Sequence, residues 1–213
     1  FAIGVWDNLE KKISLIRDFA GVKPLFYGFD GRILVFSSQY NQISRHPSYF
    51  HNEYENSVLK LYLIQHYIPS PNALIKNTFS LNPGEMITFN IKGEKFSKEY
   101  WNYPDYEEIK FSKNEAVNHV EKHLKDAVKS ELISDVPIGA FLSGGVDSPL
   151  ICYFASLEKD KNFKTFSIGS DSKKHDETTL SSHYANFLNT IHSIKTLDAA
   201  NTADELEKAV SSI

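Results

Sequence analysis

Six consecutive residues, Ser143-Gly144-Gly145-Val146-Asp147-Ser148, place two hydroxyls, two glycines and a carboxylate between an apolar run at Ile138 to Leu142 and another beginning at Leu150. The order reads as strand, glycine loop and helix start. Adjacent glycines open backbone conformations closed to other residues, so successive N–H groups are expected to converge on one anion at the positive end of the following helix. Such a loop binds phosphate. Ser143 and Ser148 add hydroxyl donors, while Asp147 would repel bare phosphate but suits a magnesium ion bridging it. The expected ligand is Mg-ATP, with Asp147 directed at the Mg. This is not a Walker A loop: the Gly-Lys-Ser/Thr ending is absent and no lysine lies between Ser130 and Lys159, which disfavours kinase and GTPase chemistry.

Other residue clusters have plainer readings. His119 and His123 stand four apart on an expected helix, but not in the metalloprotease order and with no third ligand nearby, so a solvated face is expected. Asp176-Glu177 precedes a helix, where acids suit the dipole. Leu142 and Ile168 end apolar strands and could serve the core or the ligand.

The elements that must position the loop follow from periodicity. The first ~100 residues read as β-rich, with strands at Ile13 to Ile16, Pro24 to Tyr27, Ile33 to Phe36 and Met86 to Phe89, turn signals at Asp30-Gly31 and Lys92-Gly93, and a helix from Val58 to Tyr67 stopped by Pro69. Trp101 to Phe111 is aromatic, acidic and interrupted by Pro104, and reads as a linker. Ser112 and Glu115 form a capping box opening a helix whose Val117, Val120, Leu124, Ala127 and Val128 make one buried stripe to about Leu132. Strand and helix then alternate: strand Ile138 to Leu142, helix Pro149 to Leu157, strand Phe163 to Ile168, helix Glu177 to Leu188, strand Ile191 to Leu197, and a last helix capped by Thr202 and Glu205 with Leu206, Ala209 and Val210 on one face. Short apolar strands in that alternation predict a parallel sheet covered on both faces, with ligand beyond the strands' carboxyl ends.

The chain has 213 residues, 41% hydrophobic and 23% charged, enough for a sizeable core in two small domains. A net charge of -4, with lysines interleaved among acids, offers no field for nucleic acid, and no apolar stretch is long enough to span a membrane. One cysteine builds no disulfide framework and no secretory pattern begins the chain, so a reducing cytoplasm is expected. The start on Phe1 and the stop at Ile213, inside a helix, predict a fragment.

The loop resembles that of the ATP pyrophosphatase superfamily, whose members cleave ATP between the α and β phosphates. The resemblance extends along the chain: Ser134 to Ser148, Phe1 to Asp7, Arg17-Asp18 with Gly21 to Leu25, and Thr165 to Gly169 are similar, in order and spacing, to glutamine-dependent asparagine synthetases. The implied fold class is α/β overall. Residues 1–100 would be the C-terminal part of an Ntn-type glutaminase αββα sandwich, 101–111 a linker, and 112–213 the start of a parallel, adenine-nucleotide α-hydrolase-like synthetase domain.

The resemblance also implies an activity. Such a ligase of asparagine biosynthesis binds ATP with Leu142, Ser143, Gly144, Gly145, Val146, Asp147, Ser148 and Ile168, adenylylates aspartate and adds ammonia drawn from glutamine. Its partners are small molecules, and a homodimer is compatible with it. Alternatives are a related amidotransferase of polysaccharide, peptide or β-lactam biosynthesis, or a non-catalytic nucleotide-binding remnant. The family's glutaminase nucleophile is an N-terminal cysteine; Cys152 lies within an apolar helix and is expected in the core, so no catalytic residue is assigned. Pro149 stands where the family usually has serine or threonine, which predicts weaker handling of ATP or pyrophosphate.

Overall fold

The computed structural model describes residues 1–105, 110–159, 163–171 and 176–197, together with 206 and 208. Chain contacts divide it into two compact units, Phe1–Tyr106 and Glu107–Ile213.

The first unit runs β1 (Ala2–Asp7), β2 (Lys12–Arg17), β3 (Phe26–Phe29), β4 (Leu34–Ser37), α1 (Tyr40–Ser44), α2 (Asn56–Gln65), β5 (Thr78–Ser80), β6 (Glu85–Asn90) and β7 (Lys95–Glu99). Two antiparallel sheets result, ordered β1-β2-β6-β7 and β4-β3-β5. Alternation sets the inner face of β6, where Glu85, Ile87 and Phe89 are buried and their neighbours are not. Leu15, Ile87 and Phe89 of one sheet meet Tyr27 of the other in a single core with Leu25 and Leu81. The turn at Asp30-Gly31 forms as expected, its Asp30 carboxylate accepting the Arg32 and Ile33 amides at 2.8 Å each.

Between β2 and β3 the chain is tied by a buried carboxylate. Asp18 is 5% exposed and accepts from the amine of Phe1 at 3.0 Å and the amides of Val22 and Lys23 at 3.0 and 3.2 Å. Arg17 donates to the carbonyls of Lys23, Leu81 and Gly21. Gly21 is needed in this knot: it sits at φ +66 and a Cβ would lie 2.8 Å from Pro83. Burial alone would raise the Asp18 carboxyl, but the donors outweigh it and hold it well below the usual carboxylate range.

The second unit contains α3 (Lys113–Glu131), β8 (Gly139–Phe141), α4 (Asp147–Glu158), β9 (Lys164–Ser170), α5 (Thr178–Leu188) and β10 (Ile191–Leu197). Its three strands are parallel, in the order β10-β9-β8. The Ser112 capping box forms, with Ser112 N–H on Glu115 at 2.8 Å and Glu115 N–H on Ser112 at 3.3 Å. The predicted stripe on α3 is only half buried: Val128 and Leu124 join Phe154, Ala155 and Phe163, whereas Val117 and Val120 are exposed, because α4 is 12 residues long against 19 in α3. Residues 202–205, 209 and 210 of the expected last helix lie outside the described residues, as do 106–109 of the expected linker; Leu206 is helical.

Among the described residues, helices cover one face of this sheet. Ala140 packs against the helical clusters of both α4 and α5, so those helices share one face. Phe141 and Ile168, of the opposite parity, are 75% and 62% exposed. Strands added always in one direction by right-handed crossovers put every connecting helix on the same side.

Two outcomes follow. Asp18→Asn is expected to destabilise the chain by about 2–3 kcal/mol at pH 7, because it removes a hydrogen-bonded buried charge. A depressed carboxyl contributes stability above its unfolded pKa, so the gap between wild type and variant should narrow below pH ~4 as the wild type loses it; urea unfolding at several pH values reads both. Cys152 is fully buried and burial pushes its thiol up to about 11. A thiol reagent at pH 8 should label it at least ~100-fold more slowly in the folded than in the urea-unfolded chain.

Candidate functional site

The parallel ladder continues one residue past β8: Leu142 N–H donates to Phe166 O at 2.8 Å, and the Leu142 side chain is buried against Cys152 and Ala185. Ser143 is thereby delivered to the carboxyl end of the sheet. From there the chain turns into α4, with Asp147 in the first turn. Ser148 Oγ accepts the Ser143 N–H at 2.8 Å and pairs with Ser143 Oγ at 2.8 Å; Ser143 Oγ in turn accepts the Gly145 N–H at 3.3 Å. Gly144 N–H donates to Glu177 Oε2 at 2.9 Å. Three successive loop amides therefore end on side-chain oxygens. An anion's oxygens could replace those acceptors.

The glycines act through space, not through unusual dihedrals. Neither Gly144 nor Gly145 occupies the left-handed region. A Cβ on Gly144 would sit 3.0 Å from Leu180 Cβ and 3.2 Å from Glu177 Cβ, so the start of α5 packs directly on the loop; a Cβ on Gly145 would meet only Ser143 Oγ, at 3.5 Å. Beside the loop lies a cleft of about 250 Å³ lined by Leu142, Ser143, Ser148, Ile168, Glu177 and Ser181 among others. That is below the ~300–1,000 Å³ typical of small-molecule sites and suits a polyphosphate or one edge of a nucleotide.

The two apolar candidates separate. Leu142 is 2% exposed, leaving only its backbone to a ligand, whereas Ile168 is open and lines the cleft. Pro149 is buried at the third position of α4, where an amide would have no partner within the helix, and it lines an apolar hollow with Leu150, Tyr153 and Phe187. Its side chain is not among those lining the cleft.

No group of three or more His, Cys, Asp or Glu side chains among the described residues could hold a metal. Magnesium needs only one or two carboxylates when phosphate oxygens supply the rest, so Asp147 beside the loop fits a cation that arrives with its ligand. His119 and His123 stand on the exposed face of α3, with the Phe111 ring tilted against His119 at 4.6 Å between centroids.

Two features escaped the sequence. Asp176 serves its helix, accepting from Thr178 N–H and Oγ1 at 3.2 and 2.9 Å, but Glu177 makes no cap bond to α5 and turns to Gly144. Nothing in the adjacent acids distinguishes them before α5 is placed. Beneath the loop, Ser167 Oγ donates to Leu142 O at 2.5 Å and meets His192 Nε2 at 3.3 Å, while His192 Nδ1 meets Thr165 Oγ1 at 2.9 Å. Polar residues alternating along β9 were the available signal.

Comparisons with known proteins find relatives for both units of the chain. Residues 1–101 match the glutamine amidotransferase domain family and residues 119–213 the asparagine synthase family. A putative glutamine-hydrolyzing asparagine synthetase of Methanocaldococcus jannaschii is 36% identical over 198 residues, 90% of this chain and 38% of that protein. Asparagine synthetase 1 of Bacillus subtilis is 27% identical over 99% of this chain and 33% of its own length, and amidase chyE of Penicillium rubens is 27% identical over the same shares. The solved NMN synthetase of Francisella tularensis aligns at a TM-score of 0.33 and 20% identity over 47% of this chain and 41% of that one, a likeness from which nothing is drawn. Spanning 33 to 38% of the length of these relatives, the chain belongs to the glutamine-hydrolysing asparagine synthetase family.

Proposed function

We propose that this chain is part of an ATP-dependent amide-forming ligase, in which Ser143 to Ser148 hold the pyrophosphate of Mg-ATP, Asp147 faces the magnesium, and the Leu142 backbone and Ile168 meet the adenosine. The single observation that carries the reading is the run of amides at Ser143, Gly144 and Gly145 turned onto exchangeable oxygen acceptors at the start of α4. In the reaction, aspartate's side-chain carboxylate attacks the α-phosphorus, the bond to the β-phosphate oxygen breaks, and pyrophosphate leaves. Ammonia from glutamine then attacks the aspartyl carbonyl and AMP departs, giving asparagine. The loop's contribution is electrostatic: its amides hold the pyrophosphate as negative charge builds on it. Residues 1–100 are assigned to the glutaminase, an Ntn-type αββα sandwich, and 112–213 to the synthetase, with 101–111 linking them. Two antiparallel sheets sharing one core in the first unit support the sandwich assignment. Cys152, buried with a raised thiol pKa, has no part in glutamine hydrolysis.

The likeness to amidase chyE favours a second reading, in which the same loop activates a carboxylate other than aspartate's.

Calorimetric titration of the 213-residue chain with Mg-ATP tests the anion site that both readings share. Saturable binding is expected, weaker by roughly tenfold or more in Ser148→Ala, which strips the Ser143 amide of its acceptor and the ligand of a hydroxyl. Gly144→Ala should destabilise the second unit by about 1–3 kcal/mol, by forcing a methyl against Leu180, and abolish binding. Mg-ATP binding that is absent, or unchanged in both variants, overturns the reading.

A further inference from the structure

The sequence assigns Glu177 to the helix dipole, yet its side chain serves another purpose. It stands at the N-cap of α5 and makes no capping bond there; Asp176, one residue earlier, supplies the oxygens for Thr178. The Glu177 carboxylate instead accepts the N–H of Gly144 at 2.9 Å, in the middle of the glycine loop, and lines the cleft with Ser143 and Ser148. We propose that Glu177 is a resident occupant of the loop's anion seat, which a polyphosphate must displace in order to bind. The inference rests on the reading of this loop as an anion site and adds the residue that sets its affinity.

The geometry confines the exchange to one side chain. Glu177 Cβ and Leu180 Cβ lie so close to the Cβ position of Gly144 that the loop and the first turn of α5 are fixed against each other. The Glu177 residue is nonetheless exposed, so its carboxylate can rotate into water without moving either backbone segment. A phosphate oxygen and a carboxylate oxygen sharing one N–H donor would hold two like charges at contact distance, where they repel. Ligand entry therefore transfers the Gly144 hydrogen bond from carboxylate to phosphate. Without Glu177 the amide would wait on water; with it, the site discriminates against weak anions that cannot outcompete a tethered carboxylate.

The test is titration of the 213-residue chain and its Glu177→Gln and Glu177→Ala variants with inorganic pyrophosphate in excess magnesium, with the Gly144 amide resonance followed by NMR. Glu177→Gln, which keeps the side chain's shape and an acceptor oxygen, should bind pyrophosphate roughly threefold to tenfold more tightly, the range for removing one like charge from a solvent-screened contact. Its thermal midpoint should stay near the wild type's, and the Gly144 resonance should shift on ligand addition in both proteins. Equal affinity in wild type and Glu177→Gln overturns the inference while leaving the loop an anion site. Weaker binding in Glu177→Gln also overturns it, because the carboxylate would then be helping the ligand. No saturable pyrophosphate binding to any of the three, with the Gly144 resonance unmoved, overturns both the inference and the anion-site reading beneath it.

Discussion

Backbone donors at the end of β8 have no strand to pair with, and much of the second unit is arranged around where they find oxygen. A parallel strand that gives way to a helix leaves successive N–H groups at a point where the sheet has ended and the helix ladder has not begun. Ser148, second residue of α4, reaches back to the Ser143 amide; Ser143 reaches forward to Gly145; Glu177, at the N-cap of α5, reaches across to Gly144. Each of these oxygens requires its element at one distance from the loop. The close approach of Leu180 to Gly144 and the burial of Ala185 against Leu142 and Cys152 fix α5. Packing and polar satisfaction thus point to the same arrangement of loop and helix.

The first unit meets the same demand with a charge. Asp18 gathers three donors in a position almost closed to water, and Arg17 spreads its guanidinium over three carbonyls that no strand pairs. Adjacent residues of opposite charge take opposite halves of the backbone's needs. Asp18 is nearly fully enclosed, and its worth comes from the donors it satisfies. The turn so tied sets the entry of β3, whose Tyr27 lies in the shared core against Phe79 and Phe89.

Much of this was legible because the signals were local. The capping box at Ser112 and Glu115, the turns at Asp30-Gly31 and Lys92-Gly93, and the strand from Ile191 to Leu197 each depend on residues within a few positions of one another. Helix α2 ends at Gln65, two residues before the expected Tyr67, with His66 as its left-handed C-cap ahead of the Pro69 stop. What the sequence could not convey was relative placement. The two glycines suggested backbone freedom, but Gly144 is demanded by Leu180 and Glu177, residues more than thirty positions away. Leu142 and Ile168 read alike as apolar strand ends; one parity step on different strands sends Leu142 into the core and leaves Ile168 at the cleft. Asp176 and Glu177 likewise part only when α5 is docked.

The one-sided coverage of the sheet among the described residues bears on the candidate site. Because β9 and β10 are added in one direction from β8, the connecting helices all lie over the face that carries Ala140, Thr165 and Ser167. The opposite face keeps Phe141, Phe166 and Ile168 in the open, directly beside the loop's exit from the strand. Apolar side chains at that edge and backbone amides at the loop form two adjoining surfaces of different character, one suited to a flat apolar group and one to an anion. The proposed Mg-ATP ligand has those two parts, a planar base and a charged tail. Among the described residues, the order of three strands leaves Ile168 uncovered, whereas an alternating order would have laid a connecting helix on its side of the sheet.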